Sequence, residues 1–242
     1  MLKVNGISKK FGGLIAVNNV DVSIRKGEIL GLVGPNGAGK TTLLNLISGI
    51  YRSDEGSIFY NGEDISKFSM DQICRKGIAK TFQQTQSFPG MTARECVMIG
   101  ALFGNGRRIS MEKAGDEAAS HLERVGFPMD LVDRPLANLN VIELRRIQLA
   151  RALASRPKIL LLDELMTGLN PSEGAEAVNL IRELRDGGIT IVMIEHIMRV
   201  ILGVSDRIVV LDHGEKIAEG TPDEVVSDRR VIESYLGERY AV

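Results

Sequence analysis

The stretch Gly34-Pro35-Asn36-Gly37-Ala38-Gly39-Lys40-Thr41 constrains this chain more than any other. It satisfies G-x-x-x-x-G-K-[ST] in full, follows a short apolar run (EILGLVG, 28–34), and enters a segment of helical apolar spacing, KTTLLNLISGI (40–50). A strand feeding a helix through such a loop is a phosphate cradle. The glycines let backbone N–H groups wrap a phosphate without interference from a Cβ, and the helix N-terminus adds partial positive charge. Lys40 is expected to reach the β- and γ-phosphate oxygens and Thr41 to ligate magnesium, with Thr42 completing the nucleotide-binding run.

The rest of the pattern says what surrounds the loop. Segments 2–7 and 20–28 alternate or end in turn residues, which predicts antiparallel strands, and Asn61-Gly62 is a hairpin turn. From about Met91 to Ala154 the pattern is mostly helical, broken at 104–106 and 126–128. Strand and helix then alternate again through KILLLD (158–163), ITIVMI (189–194) and RIVVLD (207–212), which implies a parallel sheet covered on both faces. The expected fold is α/β: a P-loop NTPase with a RecA-like core of mainly parallel sheet, an antiparallel β subdomain and an inserted α-helical subdomain. A single domain is expected over 1–242. Core and antiparallel strands take 1–90 and 155–220, the helical lobe about 91–154, and C-terminal helices about 221–242, the first begun by Pro222 with Thr221 as N-cap.

Charge and cysteine content narrow the partners. Thirty basic against 31 acidic residues give a formal charge of −1, so no basic field advertises nucleic acid. Two cysteines are too few for a disulfide framework and fit a reducing compartment. No apolar run is long enough to cross a bilayer, and MLKVNG lacks the apolar region of a signal peptide. A soluble, cytoplasmic chain is expected, free to bind a membrane protein.

A second motif supplies the metal's other protein ligand. In ILLLDE, four apolar residues lead to Asp163 and then Glu164. Asp163 is expected to hold magnesium through water and Glu164 to polarise the attacking water, so ATP and Mg²⁺ are the expected cofactors.

With these motifs in order, the sequence resembles the ATP-binding cassette (ABC) family over nearly its whole length. KTFQQ puts Gln83 where that family has a glutamine that senses magnesium, VMIEH puts His196 where it has a histidine against the γ-phosphate, and KKFGG puts Phe11 where it has an aromatic that stacks on adenine. The resemblance therefore implies catalytic roles for Glu164, His196 and Gln83, and a metal set of Thr41, Gln83 and Asp163. The segments KTFQQ, FPGMT and SDRIVVLDHGEKIAEGTPDEV look most like ATPases of branched-chain amino acid, amide and urea importers. That implies coupling ATP-driven dimer closure to transport at the inner face of a membrane. Transmembrane permease subunits are expected to dock near Phe88-Met91, including Pro89. A regulatory ABC subunit with little turnover, and a soluble ABC ATPase without a membrane partner, are the alternatives.

One motif departs from the family. Its members work as head-to-tail dimers in which an LSGGQ signature contacts the partner's ATP, and here the segment reads Leu139-Asn140-Val141-Ile142-Glu143. Asn140 and Glu143 are spaced as a capping box for a helix over 141–155, a role that needs no ligand. Val141 and Ile142 keep their backbone N–H groups but put a branched Cβ where the family lets a phosphate meet bare backbone. The resemblance thus implies in-trans contact by Asn140, Val141, Ile142 and Glu143, weakened at one site. A second ABC ATPase subunit is the expected partner, in a heterodimer, with a homodimer as the other possibility. Leu165 replaces the family's proline after the glutamate, and Asn170 its usual aspartate.

Overall fold

The computed structural model describes residues 1–82, 88, 90–104, 106–166 and 168–236. They form two compact units, Met1–Met70 with Ile181–Val242, and Asp71–Leu180.

The first unit opens with β1 (Leu2–Phe11) and β2 (Leu14–Ile24), paired antiparallel about a turn at Gly12-Gly13. Strand β2 begins six residues before the segment expected from the alternation at 20–28. Strand β3 (Ile29–Val33) is buried at every residue and runs into the phosphate loop and α1 (Lys40–Ile47). Next come β4 (Glu55–Tyr60) and β5 (Glu63–Asp64), joined through Asn61 and Gly62 at φ 51° and 87°, as the hairpin dipeptide requires. These strands order as β2-β1-β4-β5 in one antiparallel sheet.

The second unit contains two elements that periodicity does not predict, α2 (Met70–Arg75) and the three-residue β6 (Ile78–Lys80). The helical region follows as α3 (Ala93–Phe103), α4 (Met111–Arg124) and α5 (Val141–Ala154). Each starts at a side-chain cap (Thr92, Ser110 and Asn140), so local chemistry sets where each helix begins. Strand β7 (Ile159–Asp163), fully buried, pairs parallel with β6. Helix α6 (Pro171–Asp186) follows it.

The chain returns to the first unit at Ile181, within α6, and continues with β8 (Thr190–Ile194), α7 (Met198–Val204), β9 (Arg207–Asp212) and β10 (Glu215–Gly220). Strand β3 is flanked by β8 and β9, both parallel to it, while β10 pairs antiparallel with β9 through a turn at His213 and Gly214. Parallel strands buried on both faces read as the continuous apolar runs seen in β3, β8 and β9. A buried ion cluster ties this unit together: Arg207 bonds Glu28 at 2.7 Å and also reaches Glu219 and the Ser23 carbonyl. The chain ends, among the described residues, in α8 (Pro222–Ser227), capped by Thr221 and Glu224, and α9 (Arg229–Leu236). No helix among the described residues is long and apolar enough to cross a membrane.

Candidate nucleotide site

In the first unit the phosphate loop is wedged between β2 and the β9–β10 turn. A Cβ on Gly39 would lie 2.2 Å from the Ala16 carbonyl oxygen, and one on Gly34 would lie 2.0 Å from that of Leu211. Gly39 also sits at φ 95°. Two independent reasons, close approach and left-handed backbone, therefore exclude any other residue there. The amide of Gly214 donates to the Ala38 carbonyl at 3.2 Å, and that of Asn18 to the Gly214 carbonyl at 2.8 Å, which pins the loop to the sheet.

Gly39 is the N-cap of α1 and supplies no side-chain cap, and the first turn has no acidic residue. The terminus is therefore built to receive an anion from outside the helix. Lys40 is 7% exposed, and its ammonium donates to the carbonyls of Gly34 at 2.7 Å and Pro35 at 2.8 Å. The cation is thus held over the loop where a phosphate's charge would be met. Of the other residues expected in this half, Phe11 ends β1 and is 42% exposed. Its ring centroid lies 5.2 Å from that of Tyr51, edge-on, and the Lys9 ammonium lies 5.5 Å from it. His196 is exposed in the short link between β8 and α7. Tyr235 on α9 is a contact that the sequence motifs do not flag: it hydrogen-bonds the Gly34 backbone, against burial that pushes its phenol up.

In the second unit Asp163 closes β7 and is 2% exposed. Its amide donates to the Thr81 hydroxyl at 3.2 Å, and its Oδ2 accepts from the Lys80 ammonium at 3.0 Å. Glu164 follows at φ 54°, a left-handed conformation that costs a residue with a Cβ about 1–3 kcal/mol. A proline at 165 would bias residue 164 toward extended backbone, and Leu165 imposes no such bias.

The altered segment is a self-sufficient helix start. Asn140 Oδ1 accepts from the Glu143 amide at 2.9 Å, and Glu143 Oε2 accepts from the Asn140 amide at 2.8 Å. Val141 is 57% exposed, with Ile142 and Glu143 half-buried beside it. Asn170 and Glu173 form the same reciprocal cap on α6, at 2.9 and 3.0 Å, a task for which asparagine is as good as aspartate. Arg146, on α5, donates to the Gly126 carbonyl. Gln83 and Pro89 lie outside the described residues. Phe88 is half-buried, its ring 5.6 Å from the Arg151 guanidinium, and Met91 is half-buried too.

The Thr41 hydroxyl in the first unit and the buried Asp163 carboxylate in the second are each hard oxygen donors of the kind magnesium takes, and among the described residues no group of three or more His, Cys, Asp or Glu could hold a metal by itself. Magnesium is ordinarily held by one or two protein oxygens, with substrate phosphates and water filling the shell.

Comparison with known proteins agrees. Residues 17–167 match the family model described as "ABC transporter", and residues 215–241 match "Branched-chain amino acid ATP-binding cassette transporter". The high-affinity branched-chain amino acid transport ATP-binding protein LivG of Salmonella typhimurium is 40% identical, across 98% of each chain. A probable LivG of Archaeoglobus fulgidus is 35% identical over 98% of this chain and 95% of that protein. Among solved structures, a nucleotide-free ATP-binding cassette from an ABC transporter superposes with a TM-score of 0.87 at 30% identity, covering 98% and 99% of the two chains. A dimeric cassette in a post-hydrolysis state with ADP and phosphate superposes at 0.85 and 27% identity, covering 92% and 99%.

Proposed function

This chain belongs to the ABC transporter family of ATPases, and from that premise we propose that it is the ATP-hydrolysing subunit of a branched-chain amino acid importer. The observation that carries the substrate class is the full-length likeness to LivG, together with the separate match at 215–241. Family membership alone would leave the substrate open.

In this reading the Gly34–Thr42 loop binds the phosphates through backbone N–H groups, and Lys40 transfers its hydrogen bonds from Gly34 and Pro35 to the β- and γ-phosphate oxygens. A magnesium ion held there would supply positive charge to offset that of the phosphates. Thr41, Asp163 and Gln83 are the protein side of that site. Glu164 accepts a proton from the attacking water, His196 donates to the γ-phosphate, and Phe11 offers a ring face to adenine. The chain pairs with a second cassette subunit and docks on permease subunits through the Phe88-Met91 stretch, which places it at the inner face of a membrane.

The capped segment favours a heterodimer. The nucleotide on this chain's loop borrows a signature from the partner, while Asn140, Val141, Ile142 and Glu143 serve the opposite site less well. Losing one charge-assisted contact there costs about 1.5–3 kcal/mol, a weakening that stops short of erasure. The test is isolation of the tagged chain with its membrane partners, followed by reconstitution in liposomes. ATP-dependent leucine uptake that vanishes with Glu164→Gln is expected. A complex that hydrolyses ATP but takes up none of leucine, isoleucine and valine would refute the substrate assignment.

A further inference from the structure

Lys80 lies on β6 and opens the KTFQQ segment three residues before Gln83, but no role is assigned to it there. Its side chain is 5% exposed, and the Asp163 side chain it bonds at 3.0 Å is 0% exposed. A fully buried carboxylate is costly unless a charge or hydrogen bonds offset it. The pairing is built by the parallel ladder, in which Lys80 aligns with Leu161, two residues short of Asp163. Thr81 reinforces it, donating its amide to the Leu161 carbonyl at 2.9 Å and accepting from the Asp163 amide. The ammonium also lies 5.2 Å from the centroid of the Phe82 ring, so its position is fixed on two sides.

We propose that Lys80 is a positioning residue for the magnesium-dependent reaction: a resident counter-charge that holds Asp163 by Oδ2 and keeps it from capturing a free divalent cation. This rests on the assignment of Asp163 to the metal site. A carboxylate already neutralised by an ammonium attracts a bare metal ion weakly. The same carboxylate still orders the water shell of a metal delivered on the phosphates of ATP, whose own charge supplies most of the attraction.

The experiment titrates Mn²⁺ into nucleotide-free protein, read by electron paramagnetic resonance, and separately measures the Mg²⁺ midpoint for binding a fluorescent ATP analogue. Lys80→Met is expected to bind Mn²⁺ without nucleotide at least about 10-fold more tightly than wild type, as removal of one neighbouring positive charge predicts. Lys80→Arg should behave as wild type. Should Lys80→Met fail to fold, Lys80→Gln keeps a hydrogen-bond donor and loses only the charge, and the same Mn²⁺ gain is expected. Unchanged Mn²⁺ affinity in the folded charge-removing variant would overturn the proposal. Asp163→Asn separates the two layers. If it shifts the Mg²⁺ midpoint while the Lys80 variants leave Mn²⁺ binding untouched, only the role of Lys80 fails. If Asp163→Asn shifts nothing, the metal assignment of Asp163 fails with it.

Discussion

Helices α1 and α5 begin in opposite ways, although the family resemblance gives both N-termini a phosphate to meet. Helix α1 starts at Gly39, with no side-chain cap and no acid in its first turn. Helix α5 starts at Asn140 inside a complete capping box, with Glu143 adding negative charge where an anion would sit. An uncapped start leaves amide donors for a ligand and costs the helix local stability, whereas a capped start stabilises the helix by itself. The first is organised around binding, the second around folding. On the proposed assignment, this contrast separates a phosphate loop open to its own nucleotide from a capped segment that would serve a partner's less well.

The largest effect is expected at Glu164, the proposed general base. Glu164→Gln should lower ATP turnover in the assembled complex by about 10²–10⁴-fold, the usual range for a general base, with nucleotide affinity retained. Single-turnover kinetics beside an equilibrium titration would show it, and equal turnover would support a regulatory subunit instead. Gly39→Ala comes next. At φ 95° and with 2.2 Å to the Ala16 carbonyl, the added methyl should cost about 2 kcal/mol or more and abolish ATP binding. Urea unfolding with a binding titration checks both. An alanine variant that binds normally would break the contrast between the two helix starts.

At the capped start the effects shrink and change kind. Asn140→Ala should cost about 1 kcal/mol of stability while leaving ATP affinity at the chain's own loop unchanged, and Asn140→Ser should be near neutral. A loss of own-site affinity in Asn140→Ala would mean the two helix starts are not independent. The smallest shift is expected for Asn170→Asp, within about 0.5 kcal/mol, since either residue caps α6 through Glu173. Denaturation midpoints resolve both.

Features written in contiguous residues were legible before any coordinates. The phosphate loop, the apolar strand ending at Asp163, the Asn61-Gly62 turn and the Asn140–Glu143 cap each depend on chemistry within a few positions. Strand β6 was not legible, because three residues carry no period and its identity comes from pairing with β7. The Lys80–Asp163 bond shares that cause: it spans 83 positions and depends on strand register. Tyr235 reaches Gly34 from a helix whose docking no local signal predicts. The left-handed backbone at Glu164 was foreshadowed only by the leucine after it.

In the proposed dimer Val141 and Ile142 restrain a signature whose helix is otherwise sound. Steady-state ATP turnover of the isolated chain, set beside that of Val141→Gly/Ile142→Gly at the same protein concentration, tests it most directly. The double variant should be faster by roughly 10- to 100-fold, the worth of one restored charge-assisted contact. A wild-type chain that hydrolyses ATP as fast as the double variant would contradict the account.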